Sequence, residues 1–188
     1  MTTPPATSGI LTRLRTETRP YHEALEENSF NQELTAGRPS REATEHFLTK
    51  MYGFVEPYEQ RLRQHSFGPA WNIDLRYRAH LILQDLPVEV PTPPLCPSMP
   101  PLNTWPQLLG AMYVLEGSTL GGQVITRQLA KAGIPTRAYF SGYGDQTGPL
   151  WKSFCQLLVQ EATEENQDEI VESASRTFQH LHAWINHA

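Results

Sequence analysis

The sequence predicts an all-α protein folded as one domain, and three observations carry that expectation. Apolar residues recur every three or four positions through most of the chain, the period of a helix with one buried face. Helix start and stop signals (Ser, Thr or Asp before the periodic stretches, Gly or Pro after them) bracket those stretches. The length of 188 residues, 39% of them apolar, suits a single core.

The first helix is expected over about Gly9 to Glu27, with Leu11, Leu14, Thr18, Tyr21, His22 and Leu25 along one stripe. Ser8 or Thr7 is its candidate cap, and Pro20 should kink or interrupt it. Residues 1–8 read as a flexible terminus and 9–188 as the domain. A second helix is expected from Ser40 to about Ser66, bent near Gly53 and Pro57. A third starts at Asp74 as cap and runs through Leu81 to Asp85, closed by Pro87. Eight of the sixteen prolines then fall between Pro87 and Pro106. A run such as Val90-Pro91-Thr92-Pro93-Pro94 cannot be helical. It reads as a surface connection within one domain, because the halves on either side are small. Thr104 can cap a long helix towards Lys131, with Gly133-Ile134-Pro135 as the stop. A loop over Tyr139 to Gly144 and two helices, about Pro149 to Glu164 and Asp168 to Asn186, complete a set of six or seven.

Composition narrows the function. Fifteen basic against twenty acidic side chains give a net charge of −5, which argues against nucleic acid as partner. Six of those acids lie between 161 and 172, where no base occurs, so the rest of the chain is near balance and can spare cations for an anionic ligand. Cys96 and Cys155 are too few for a disulfide scaffold or an all-cysteine zinc site, and point to a reducing, cytoplasmic setting. No apolar run is long enough to span a membrane, and the first eight residues hold no signal-peptide core.

The most unusual stretch is Met112-Tyr113-Val114-Leu115-Glu116-Gly117-Ser118-Thr119-Leu120-Gly121-Gly122-Gln123-Val124-Ile125. Read locally it could be two strands around a glycine turn; its flanks favour helix. In a helix, Gly117, Gly121 and Gly122 together cost roughly 3 kcal/mol relative to alanine. Tight helix packing or a turn is one explanation, and is the more ordinary one. The other is close approach of a flat ligand to bare backbone. The spacing matches neither a phosphate loop nor a dinucleotide fingerprint.

Among seven histidines, His22 sits on the apolar stripe with Glu26 one turn on, where a carboxylate can orient the ring for metal ligation. A core histidine without a ligand is the commoner outcome of such a position. The other six read as surface or half-buried groups. No histidine has a glutamate three residues before it, which closes the di-metal bundle reading.

Two signals together resemble the biliverdin-producing heme oxygenases, especially the short bacterial branch. These are Leu14-Arg15 followed by His22 in the N-terminal helix, and the run from Tyr113 to Gln123. Weaker matches are Leu81 to Leu86, Tyr139 to Gly144, Trp151-Lys152-x-Phe154, Thr177-Phe178 and Trp184, so the likeness spans about Leu11 to Ile185. It implies heme b held between a proximal and a distal helix, serving as cofactor and substrate, with dioxygen and external electrons giving biliverdin (the IXα isomer by default), carbon monoxide and ferrous iron.

Carried onto this sequence, the resemblance makes His22 the iron ligand and Glu26 its orienting partner. Gly117, Ser118, Gly121 and Gly122 become the distal catalytic segment. Arg15 and Lys152 become propionate partners, and Phe178 an apolar wall. Gln156 stands where animal relatives carry an arginine, and Ser118 where they carry an aspartate. A hydroxyl supplies no charge there. A ferredoxin or other reductase is the implied electron donor, with Arg13, Arg19, Arg127 and Lys131 as candidate docking charges. A phytochrome is a candidate bilin acceptor in that branch. Two other readings stand beside this one: a heme carrier or sensor of the same fold, and a cofactor-free helical interaction protein. Thiaminase-type relatives use a cysteine nucleophile, for which Cys96 and Cys155 are poorly placed.

Overall fold

A computed structural model describes residues 7–88, 91–135 and 138–187, the side chains of 7 and 8 excepted. The expected cap at Ser8 or Thr7, the terminus before it, and Val90 in the proline run lie outside what is described. Every regular element among the described residues is helical.

The N-terminal helix is broken where Pro20 predicts. Helix α1 (Thr7–Glu17) ends and α2 (Arg19–Glu26) begins around Thr18, with the proline in the first turn of α2. Pro lacks an N–H and is tolerated there because first-turn donors have no helical partner anyway. Thr18 is buried and its hydroxyl donates to the Leu14 carbonyl at 2.6 Å, filling the joint. A short helix, α3 (Ser29–Thr35), was not expected; seven residues are too few to show a period. Asn28 caps it by accepting from the Asn31 N–H at 3.0 Å.

Helix α4 (Arg41–Leu62) is capped by Ser40 and contains Pro57. Because proline has no N–H, the Gly53 carbonyl one turn earlier loses its helical donor. The proline-rich connection supplies a replacement: the Cys96 N–H donates to the Gly53 oxygen at 2.8 Å. Gly53 has no room for a side chain, since a Cβ there would run into the Pro94 carbonyl and the Trp184 ring. The connection is therefore docked on the helix, as expected of a segment belonging to one domain.

The expected third helix is two pieces, α5 (Ile73–Arg76) and α6 (Ala79–Asp85). Asp74 lies inside α5 and does not cap it; the residue before α5 is Asn72, in a left-handed conformation at φ 47°. The break has a physical use. Residues two apart on a helix face different sides, yet Arg76 and Arg78 are both buried in the interior. The N-terminus of α6 is covered by the buried Glu59 carboxylate, which accepts from the Arg78 and Ala79 N–H groups at 2.5 and 3.0 Å. Burial pushes that carboxyl above the usual range.

Helix α7 (Trp105–Lys131) runs through the centre as one unbroken element. The capping box forms as its sequence suggests, with Thr104 and Gln107 bonding each other's backbone. Gly133 leaves it at φ 72°. A four-residue helix, α8 (Ala138–Ser141), interrupts the expected loop. The chain ends with α9 (Thr147–Glu161) and α10 (Gln167–Asn186), and α10 lies along α7. That contact is close because Gly110 carries no side chain: a Cβ would meet the Ile170 carbonyl and Ser173. Ser173 also donates to the Gln107 carbonyl at 2.6 Å.

Candidate functional site

A cleft lies between α2 and the middle of α7, with α10 and α4 as its floor. It comprises two adjoining chambers of about 440 and 520 Å³ that share His22, Leu25, Glu26, Met51, Gly117, Ser118 and Leu181. Each falls in the range of small-molecule pockets, ~300–1,000 Å³.

The α2 wall presents His22, whose side chain is 55% exposed. Its ring meets the Phe178 ring edge-on, centroids 5.6 Å apart at 79°. Glu26 stands 3.8 Å from His22 Nδ1, longer than a hydrogen bond and close enough to bias the ring electrostatically. The break at Thr18 sets the angle at which this short helix crosses the cleft.

The α7 wall presents bare backbone. A Cβ built at Gly121 would have nothing within 4 Å, and one at Gly117 would touch only the Trp151 ring at ordinary distance, 3.5 Å. Leu120 and Val124, one turn apart on this face, remain 45% and 48% exposed, an apolar surface that a flat apolar ligand would cover. Ser118 is exposed at the same level. Its hydroxyl proton is committed to the Leu115 carbonyl at 2.6 Å, so its oxygen is left as an acceptor towards the cleft.

Gly122 departs from expectation. It is buried and does not line either chamber; a Cβ there would collide with the Phe140 backbone. Its missing side chain is explained by packing, not by a ligand.

The cations sort differently from the reading above. Arg15 lines the first chamber, beside Tyr113 and Trp151. Lys152 is exposed on α9 and lines neither chamber; the wall position there belongs to its neighbour Trp151. The second cation on the wall is Arg19, one turn after Arg15. The sequence held a signal for it, since Arg15, Arg19 and His22 share one helical face, but Pro20 beside it obscured the register. Arg13 is held by Glu17 and Asp168, each at 2.7 Å, while Arg127 and Lys131 are exposed near the end of α7.

Neither cysteine is suited to nucleophilic chemistry. Burial pushes Cys155 up to about 11 and raises Cys96 as well, so the thiolate is scarce at neutral pH. No group of three or more His, Cys, Asp or Glu side chains that could hold a metal ion occurs among the described residues.

A family model described as heme oxygenase matches residues 8–86, the part that carries His22. The heme oxygenase of Xanthomonas campestris pv. campestris (strain 8004) is 29% identical over 126 residues, 63% of this chain and 72% of that protein. Over these stretches the chain is similar to the heme oxygenase family. Two solved heme oxygenases share its fold across nearly the whole length. The protein from Leptospira interrogans superimposes with a TM-score of 0.79 at 18% identity, covering 94% of this chain and 98% of that one. Heme oxygenase-1 from the cyanobacterium Synechocystis sp. PCC6803, solved in complex with heme, gives 0.72 at 15% identity, with 94% and 90% covered. The glycine-bearing half of α7 lies beyond the family-model match.

Proposed function

We propose that this protein is a heme oxygenase, which binds heme b in the α2–α7 cleft and opens its ring with dioxygen and externally supplied electrons, releasing biliverdin IXα, carbon monoxide and ferrous iron. One observation carries the reading: an accessible histidine on one wall shares the cleft with a helix face on the other that is apolar and gapped at two glycines. An apolar wall with such gaps is what a flat macrocycle and a small gas beside it require.

The bound heme is the substrate, and its iron supplies the oxygen chemistry. The chain's own residues hold and orient it. His22 has Nδ1 turned towards Glu26, which leaves Nε2 as the ligating atom. Arg15 and Arg19 stand at one end of the cleft, where guanidinium forks can take the two propionate carboxylates. Phe178 and Leu181 supply apolar floor. Gly117 and Gly121 let α7 lie close to the ring, and the Ser118 oxygen offers a hydrogen-bond acceptor there. A ferredoxin or other reductase is the class of protein to supply the electrons.

Purified protein titrated with hemin should show a Soret shift saturating at one equivalent. With an electron donor and oxygen, the Soret band should decay as a biliverdin band grows. A reduced heme spectrum that persists would show a carrier instead. In His22→Ala the ligand-field spectrum should change and hemin affinity should fall at least about tenfold, the loss of one strong directed interaction. Wild-type affinity with an unchanged spectrum would remove His22 as the ligand.

A further inference from the structure

Behind the glycine segment lies a charged cluster that the proposed chemistry does not use. Glu116, the residue before Gly117, is buried on the side of α7 away from the cleft. Its Oε2 accepts from Arg76 Nη1 at 2.5 Å, with side-chain exposures of 3% and 0%. Its Oε1 accepts from the Tyr143 hydroxyl at 2.8 Å. The same Arg76 donates through Nε to the Trp71 carbonyl at 2.7 Å and through Nη2 to the Leu150 carbonyl at 3.4 Å. Three segments of the chain therefore meet at one carboxylate, and Arg76 ties in a fourth at Leu150. One residue earlier, the Leu115 carbonyl accepts from Arg78 Nη2 at 2.8 Å.

A fully buried ion pair is seldom more stabilising than apolar side chains of the same size. Its distinctive property is directional: it accepts one geometry and rejects its neighbours. The next turn of α7 is where direction matters and where the helix is weakest, because glycines there relax the backbone. We propose that Glu116 is a positioning residue, latched by Arg76 and Tyr143, that fixes the height and rotation of the 117–122 segment over the cleft. This rests on the heme reading for its use, though the mechanical part is independent of it.

The test uses Arg76→Met with Glu116→Leu, which removes both charges together and leaves neither stranded. Tyr143→Phe is the milder variant, retaining the ion pair. Hydrogen exchange on the heme-free protein should show amides 117–122 opening about tenfold faster in the double variant, with amides 170–181 unchanged. Tyr143→Phe should accelerate the same amides by about threefold, which decides the matter if the double variant does not fold. Hemin-loaded variants should bind heme within about threefold of wild type. They should nevertheless give a mixture of biliverdin isomers and a broadened Soret band. Wild-type exchange at 117–122 in a folded variant overturns the latch. Failure of the wild-type protein to take up hemin overturns the heme reading, so the two failures are distinct.

Discussion

The glycines of α7 serve opposite ends. Gly110 against α10 and Gly122 against α8 are absent side chains that other backbone has filled: Ile170 against the first, Phe140 against the second. Along the cleft, Gly117 and Gly121 leave space that no described residue occupies, Trp151 alone coming within contact range. Packing glycines let secondary elements close on one another. Cleft glycines hold elements open for something else. A glycine-rich helix is thus two sites superimposed, and only the neighbours tell them apart.

The largest expected effect comes from filling the packed glycines. Gly122→Ala and Gly110→Ala each place a methyl group into backbone that cannot rotate away. Overpacking of this kind costs about 3 kcal/mol, at the upper end of the usual range because no flexible side chain can yield. Chemical denaturation should show that loss in both variants without hemin present. A loss below about 1 kcal/mol would mean the elements slide apart easily and the packing is loose.

Gly121→Ala, one residue away, should change stability in the other direction. With nothing near the new methyl and a helical backbone, the variant should gain about 1 kcal/mol from propensity alone. Hemin affinity should fall in the same protein, since the methyl stands in the space assigned to the ring. Stability gained with affinity unchanged would show that the ligand does not approach this turn.

This contrast marks the limit of what the sequence made legible. Long periodic helices were visible because their burial is one-sided, and the capping signal at Thr104 forms as written. The short α3 was not, and the split between α5 and α6 depends on two arginines turning inward, which no local pattern announces. At the site, His22, Glu26, Arg15, Phe178, Gly117, Ser118 and Gly121 come to one cleft. Gly122 does not, because adjacent glycines on a helix lie about 100° apart and face different neighbours. Lys152 was placed by resemblance and lies off the wall, while Arg19, read as a candidate docking charge, lies on it. Charges on opposite sides of a fold cannot be assigned to one ligand until the helices are assembled.

Gly117 sits between the two extremes and gives the finest test. A methyl there would rest on the Trp151 ring at 3.5 Å, an ordinary contact that neither clashes nor leaves a gap. The gain in helix propensity should survive nearly whole, giving a heme-free protein more stable by about 0.5–1 kcal/mol. The ring contact adds little, because Trp151 is already packed against Tyr113 and Phe154. With hemin the balance should reverse, the methyl narrowing the space beside Ser118 where a small gas must fit. The decisive measurement is the ratio of carbon monoxide affinity to hemin affinity in the reduced protein. If Gly117 shapes the gas pocket, Gly117→Ala lowers the first more than the second, whereas Gly121→Ala lowers the second more. Equal losses in both would mean that the two glycines serve one undivided surface and that the cleft face of α7 has no internal specialisation.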